Sequence, residues 1–210
     1  MTLALLTAFL LFSAASAGQT AAPAQDALQA YEDVLSGART YLMCDTLENT
    51  VTEAMIQPDV SQWYGMIFEA PLHYAAYAVT DLDGDESPEV LLQLTDDFGF
   101  ELLRYQDGLV YGYPFVARAM EGVTDEGDIH GSNGAANYGW YRARFNGPVM
   151  ETTVVCWRYD EQEPPVRFVI GDREVPQAEF EAFNDDLWTR NGLFWTDFMP
   201  GSLHMAVTGE

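Results

Sequence analysis

Nine consecutive residues, Asp81-Leu82-Asp83-Gly84-Asp85-Glu86-Ser87-Pro88-Glu89, carry five carboxylates and no basic group. Two carboxylates about 4 Å apart repel by roughly 4 kcal/mol at an effective dielectric near 20, so such a run either splays into water or closes on a cation. The alternation of Asp81, Asp83 and Asp85 converges three hard oxygen ligands on one turn. Magnesium keeps its own waters and rarely needs so many carboxylates, which makes calcium the expected ion. The expected side-chain ligands are Asp81, Asp83, Asp85 and Glu89, with the backbone carbonyl of Ser87 and water completing about six or seven oxygens. Gly84 permits the tight turn, Pro88 stiffens the exit, and Glu86 is expected to face solvent. The competing reading is a solvated acidic turn, because Asp and Gly favour turns with or without a metal.

An EF-hand requires glycine at the sixth loop position and a bidentate acid at the twelfth. Here those positions hold Glu86 and Leu92, and the flanks alternate like strands rather than helices. The loop instead resembles the hairpin calcium loop of FG-GAP and VCBS-type repeats, whose pattern is Asp-x-Asp-x-Asp-Gly-x-x-Asp. The resemblance spans about nine residues, with Glu89 where the last Asp of that pattern stands. Glu86 replaces the usual glycine and there is a single copy, so no propeller is implied. A wider likeness is carried by YAVTDLDGDESPEVLLQL, RAMEGVTDEGDIHGSNGAANYGWYRARF and VIGDREVPQAEFEAFND. These runs resemble a group of exported proteins of gut Firmicutes that share an Asp-rich hairpin, a Gly-Ala-Ala-Asn segment and a final helix. That resemblance implies export and one compact domain, and it implies no activity.

A second candidate site is the glycine-rich run from His130 to Trp140. Its glycines allow positive φ and close backbone approach, as in a nest for an anion or a sugar hydroxyl. The residues to bind such a ligand are His130, Ser132, Asn133, Asn137, Tyr138 and Trp140. The alternative is a bulged loop between strands whose aromatics alternate into the core. Other chemistries lack their signatures. His73, His130 and His204 show no metal-ligand spacing, and His-Glu-x-x-His, Cys-x-x-Cys and Gly-x-Ser-x-Gly are all absent. Cys44 or Cys156 paired with His130 would make a nucleophile only if the fold joined them. Glycoside hydrolysis needs two spaced carboxylates, and with 33 acids that criterion decides nothing.

The elements around these residues read as α+β: an antiparallel β-meander sheet with an N-terminal and a C-terminal helix packed on it. A helix is expected over 25–36, where Leu28, Tyr31, Val34 and Leu35 share a face. A short strand over 40–44 follows, then a second helix over 47–56. Strands over 73–80 and 89–94 flank the acidic loop. Further pairs are 100–105 with 109–113 around Gln106-Asp107-Gly108, and 138–145 with 149–159 around Asn146-Gly147-Pro148. A strand over 166–170 precedes a helix opened by Pro176 and running to about 190.

Composition bounds the partners. Net charge is −24, with nine arginines and no lysine. Nucleic acid and anionic membrane surfaces are therefore excluded as partners, as are Schiff-base and P-loop chemistry. Residues 1–17 read as a secretory signal peptide, 18–24 as a spacer and 25–210 as a single domain, with no membrane span after cleavage. Cys44 and Cys156 are either one disulfide or two buried thiols. The expectation is a secreted, calcium-binding module, its metal structural, engaging a glycan or a cell-surface protein. An extracellular hydrolase of unrecognised type and an acidic inhibitor or immunity-type protein are the alternatives.

Overall fold

The computed structural model describes residues 21–45, 50–56, 74–95, 99–116, 118–160, 166–199 and 203. The expected signal peptide, His73 and His204 lie outside them. The described residues are mostly strand, with a helix on either side of the run of strands β1–β12 and a helical residue at Leu203. Helix α1 is Ala21–Leu35, followed by β1 (Thr40–Asp45), β2 (Thr50–Ile56), β3 (Tyr74–Thr80), β4 (Glu89–Leu94), β5 (Gly99–Gln106) and β6 (Leu109–Val116). Then come β7 (Gly122–Val123), β8 (Ile129–Ser132), β9 (Tyr138–Asn146), β10 (Val149–Tyr159), β11 (Arg167–Ile170) and β12 (Arg173–Glu174). Helix α2 (Gln177–Trp188) and β13 (Thr196–Asp197) close the described fold.

The strands form two sheets rather than the single sheet expected. The first has the order β13-β3-β4-β5-β6-β1-β2, and the second runs β12-β11-β10-β9-β8-β7. All pairings are antiparallel except β1 with β6, which is parallel. The expected helix over 47–56 is corrected. Its described part, Thr50–Ile56, is β2, and the helix formers Ala54 and Met55 are overridden by pairing with Leu42 and Tyr41 of β1.

Side-chain alternation stacks the sheets between the helices. Leu91, Leu102, Tyr113 and Phe115 of the first sheet pack with Ile129, Ala143 and Phe145 of the second. On the outer face of the first sheet, Ala27, Tyr31 and Val34 of α1 cover Val90, Leu92 and Leu103. On the outer face of the second, Phe180 and Leu187 of α2 cover Trp140 and Cys156. The layers therefore run helix, sheet, sheet, helix. Pro176 caps α2 at its N-terminus with φ −61° and ψ 149°, consistent with the proline signal.

Candidate metal centre

The acidic loop connects β3 to β4, a hairpin whose last pair is Thr80 with Glu89. Asp81 organises it. One Asp81 oxygen accepts the Gly84 and Asp85 N–H groups at 2.8 and 3.0 Å, and the other accepts the Glu86 N–H at 2.9 Å. Asp85 in turn accepts the Ser87 N–H at 2.9 Å. Gly84 and Glu86 both have positive φ, 76° and 69°. Glu86 is exposed and held left-handed, a conformation that suits glycine better than a residue with a side chain. Glu86→Gly is expected to raise unfolding free energy by about 0.5–1 kcal/mol, the left-handed penalty less the entropy glycine adds to the unfolded chain. Urea unfolding reads this directly, and an unchanged midpoint would mean that the loop relaxes the strain.

The loop's interior holds a cation that the local sequence does not contain. Arg104 of β5 points between the sheets beside Leu102 and reaches the loop with both terminal nitrogens. Nη1 donates to Glu89 Oε1 at 2.5 Å and to Asp83 Oδ2 at 3.2 Å, and Nη2 donates to Asp85 Oδ2 at 2.6 Å. Glu89 is fully buried, and its other oxygen accepts the Leu82 N–H at 2.8 Å. Burial pushes the Glu89 carboxyl up to about 8, against the downward pull of the Leu82 N–H and of Arg104. The Arg104 guanidinium is raised by its three carboxylates despite desolvation.

Asp83 links the two sheets. Its Oδ2 accepts Arg104 and also the Phe145 N–H of β9 at 3.2 Å. Its Oδ1 is buried and has no hydrogen-bond partner among the described residues, with the side chain only 5 % exposed. One oxygen each of Asp81, Asp83 and Glu89 lies within 4.8 Å of the other two. The structure thus brings together three of the expected ligands. Asp85 stands outside this trio and is taken by Arg104 and Ser87, while Ser87 is held through its N–H.

Helix α1 fixes the exit of the loop. The buried Tyr31 hydroxyl donates to the Pro88 carbonyl at 2.8 Å and accepts the Tyr105 N–H at 2.7 Å, tying the loop to the strand that carries Arg104. Tyr31→Phe strands both backbone groups and is expected to cost about 2–3 kcal/mol in urea unfolding. A loss below about 0.5 kcal/mol would show that water replaces the hydroxyl.

A second acidic turn abuts the first. Gly127, at φ 81°, sits where any Cβ would run into the Leu82 carbonyl oxygen. Asp128 beside it is fully buried, accepting Arg142 Nε at 2.5 Å and Arg190 Nη1 at 3.3 Å. Between the turns lies a cleft of about 230 Å³ lined by Asp81, Asp83, Gly84, Asp125, Glu126, Arg142 and Arg144, among others.

The glycine-rich run divides into two. His130 and Trp140 face each other across β8 and β9, as do Ser132 and Tyr138. The rings of His130, Tyr138 and Trp140 form one cluster, closed by the half-exposed Trp188 of α2 with centroids 4.6 Å from His130 and 4.9 Å from Trp140. Asn133 and Asn137 stay in the connecting loop, where the Asn133 N–H donates to the Asn137 carbonyl at 3.1 Å. Gly131 and Gly139 lack side chains because the Ala119 and Cys156 carbonyls press against them. His130 lies 3.1 Å from Glu121, and its desolvation lowers its proton affinity more than Glu121 restores it.

Cys44 and Cys156 are free, buried thiols in different core clusters. Burial pushes them up to about 12 and about 11, so both are neutral. Trp140 separates Cys156 from His130 on the same sheet face, about 10 Å apart at two strand spacings, which rules out a proton-sharing pair.

The residue that sequence reasoning missed is Arg104. Its signal was the alternation of Phe100-Glu101-Leu102-Leu103-Arg104, which puts a charge on the same inward face as Leu102. No family model matches this chain, and neither a curated protein nor a solved structure matches it.

Proposed function

We propose that this chain is an exported calcium-binding module in which the ion pins the β3–β4 hairpin against the second sheet. Asp81, Asp83 and Glu89 supply carboxylate oxygens, and Asp85 and the Ser87 carbonyl complete the set after a local shift. The observation that carries this reading is the buried, unpartnered Oδ1 of Asp83 within a converged carboxylate trio. A carboxylate oxygen taken out of water without a donor is costly, and a hard cation is the partner that suits it where two further carboxylates converge. Arg104 offsets one of the loop's five negative charges and leaves the remainder for the ion. When bound, calcium supplies charge neutralisation and fixed geometry. Affinity in the extracellular range of about 10⁻⁴–10⁻³ M fits a site shared with an internal arginine.

A second reading rests on that same arginine. Its contacts to Asp83, Asp85 and Glu89 can close the loop without metal, making a module for a glycan or a protein partner whose hairpin is pinned by the guanidinium alone. Thermal melts in calcium, magnesium and EDTA separate the two. Calcium is expected to raise the midpoint of the wild type and to leave Asp83→Ala unmoved. No rise in the wild type overturns the calcium reading and favours the arginine-closed loop. The aromatic cluster around Trp188 supports a binding role. A strongly basic partner would instead favour the acidic-inhibitor reading.

A further inference from the structure

Of the nine arginines, eight have an acidic, carbonyl or aromatic partner, and Arg144 alone has none among the described residues. Glu151 faces it across the β9–β10 ladder without closing an ion pair. Arg144 is exposed, and it lines the cleft together with Asp81 and Asp83. The same lining includes Asp83, whose buried Oδ1 has no donor among the described residues. Arg104 grips that same carboxylate through Oδ2 and does not line the cleft.

The other charges on the walls are largely spent. Glu126 is held by Arg190 at 2.6 Å, and Arg142 by the buried Asp128 at 2.5 Å. A divalent cation between Asp81 and Asp83 cancels their two charges. The cleft then presents a hard cation and, from Arg144, a guanidinium fork without a partner among the described residues. The group that both take through oxygen is a carboxylate, bridging the metal and forming paired hydrogen bonds to the arginine. At about 230 Å³ the space suits one residue-sized unit and not an extended ligand.

We propose that this cleft binds the carboxylate of a small anionic ligand, a sugar acid or an acidic amino acid, between the loop calcium and Arg144. The inference rests on the calcium reading above. The test is titration calorimetry of the full chain, first with calcium chloride alone. Sodium glucuronate, N-acetyl-aspartate and neutral glucose then follow, each in calcium and in EDTA. Calcium is expected to bind first. At least one of the two carboxylates then binds in calcium only, and which one identifies the source. Glucose gives no heat. Arg144→Gln weakens the carboxylate at least tenfold and leaves calcium binding unchanged. Calcium binding without any carboxylate binding, or equal carboxylate binding in Arg144→Gln, overturns this inference alone. Absence of calcium binding overturns both it and the reading beneath it.

Discussion

Replacing Arg104 by Gln is expected to destabilise the protein by about 3–5 kcal/mol in EDTA, the cost of leaving buried carboxylates without their counter-ion. Asp83 and Glu89 are the groups left without it, with side chains 5 % and 0 % exposed, and Glu89, already pushed up to about 8, holds its proton more firmly still. Millimolar calcium is expected to recover much of the loss, because the ion assumes the charge that the guanidinium carried. The calcium-induced rise in midpoint should therefore be larger in the variant than in the wild type. If the variant is too unstable to study alone, Arg104→Gln combined with Glu89→Gln replaces the buried acid by a neutral amide and should regain part of the stability in EDTA above pH 8. Urea unfolding with and without calcium decides the matter. A variant equally damaged in both conditions would show that arginine and metal are not interchangeable at this loop.

The second large effect lies on the other face of the same sheet. Glu101 of β5 is buried against α1's side of the core, where the Tyr74 hydroxyl donates to it at 2.7 Å. Burial pushes its carboxyl up from 4.5 to about 7, with the hydrogen bonds from Tyr74 and Tyr41 acting in the opposite direction. Between those pH values the folded protein holds a proton that the unfolded chain has already released. Stability from this group therefore falls as pH rises from about 4.5 to about 7, and is flat above. Glu101→Gln stays neutral throughout and keeps an acceptor for Tyr74. It should match the wild type near pH 4 and exceed it by about 3 kcal/mol at pH 8. Parallel stability curves for the two proteins would show that the carboxylate is solvated in the folded state.

These effects also mark what the sequence made legible. Local signals were read well: Asp107-Gly108, with both φ values positive, turns β5 into β6, and Gly147 at φ 56° turns β9 into β10. The acidic loop and the helix after Pro176 were likewise visible, because turn chemistry and helical spacing are short-range properties. Strand alternation separates inside from outside but does not say which sheet a strand joins, so two sheets were read as one. The segment ending at Ile56 misled because Ala54 and Met55 favour helices, whereas its partner β1 is set by tertiary contact. Arg104 was overlooked for a similar reason. The loop's own residues hold no cation, and its counter-charge arrives from the next strand but one in the chain.

That arrangement has a consequence for the order of folding. A nascent chain that has emerged only as far as β4 carries the whole acidic loop and both strands of its hairpin, yet lacks Arg104. Electrostatic repulsion among the loop's carboxylates disfavours closing the hairpin until β5 emerges or a cation from the surroundings intervenes. Tyr31, which bonds both Pro88 and Tyr105, likewise has nothing complete to grip before then. The smallest cooperative unit is thus three strands rather than two, and synthesis must pass residue 105 before the loop can lock. Ambient calcium would relax that requirement, letting the β3–β4 hairpin close while the rest of the chain is still being made.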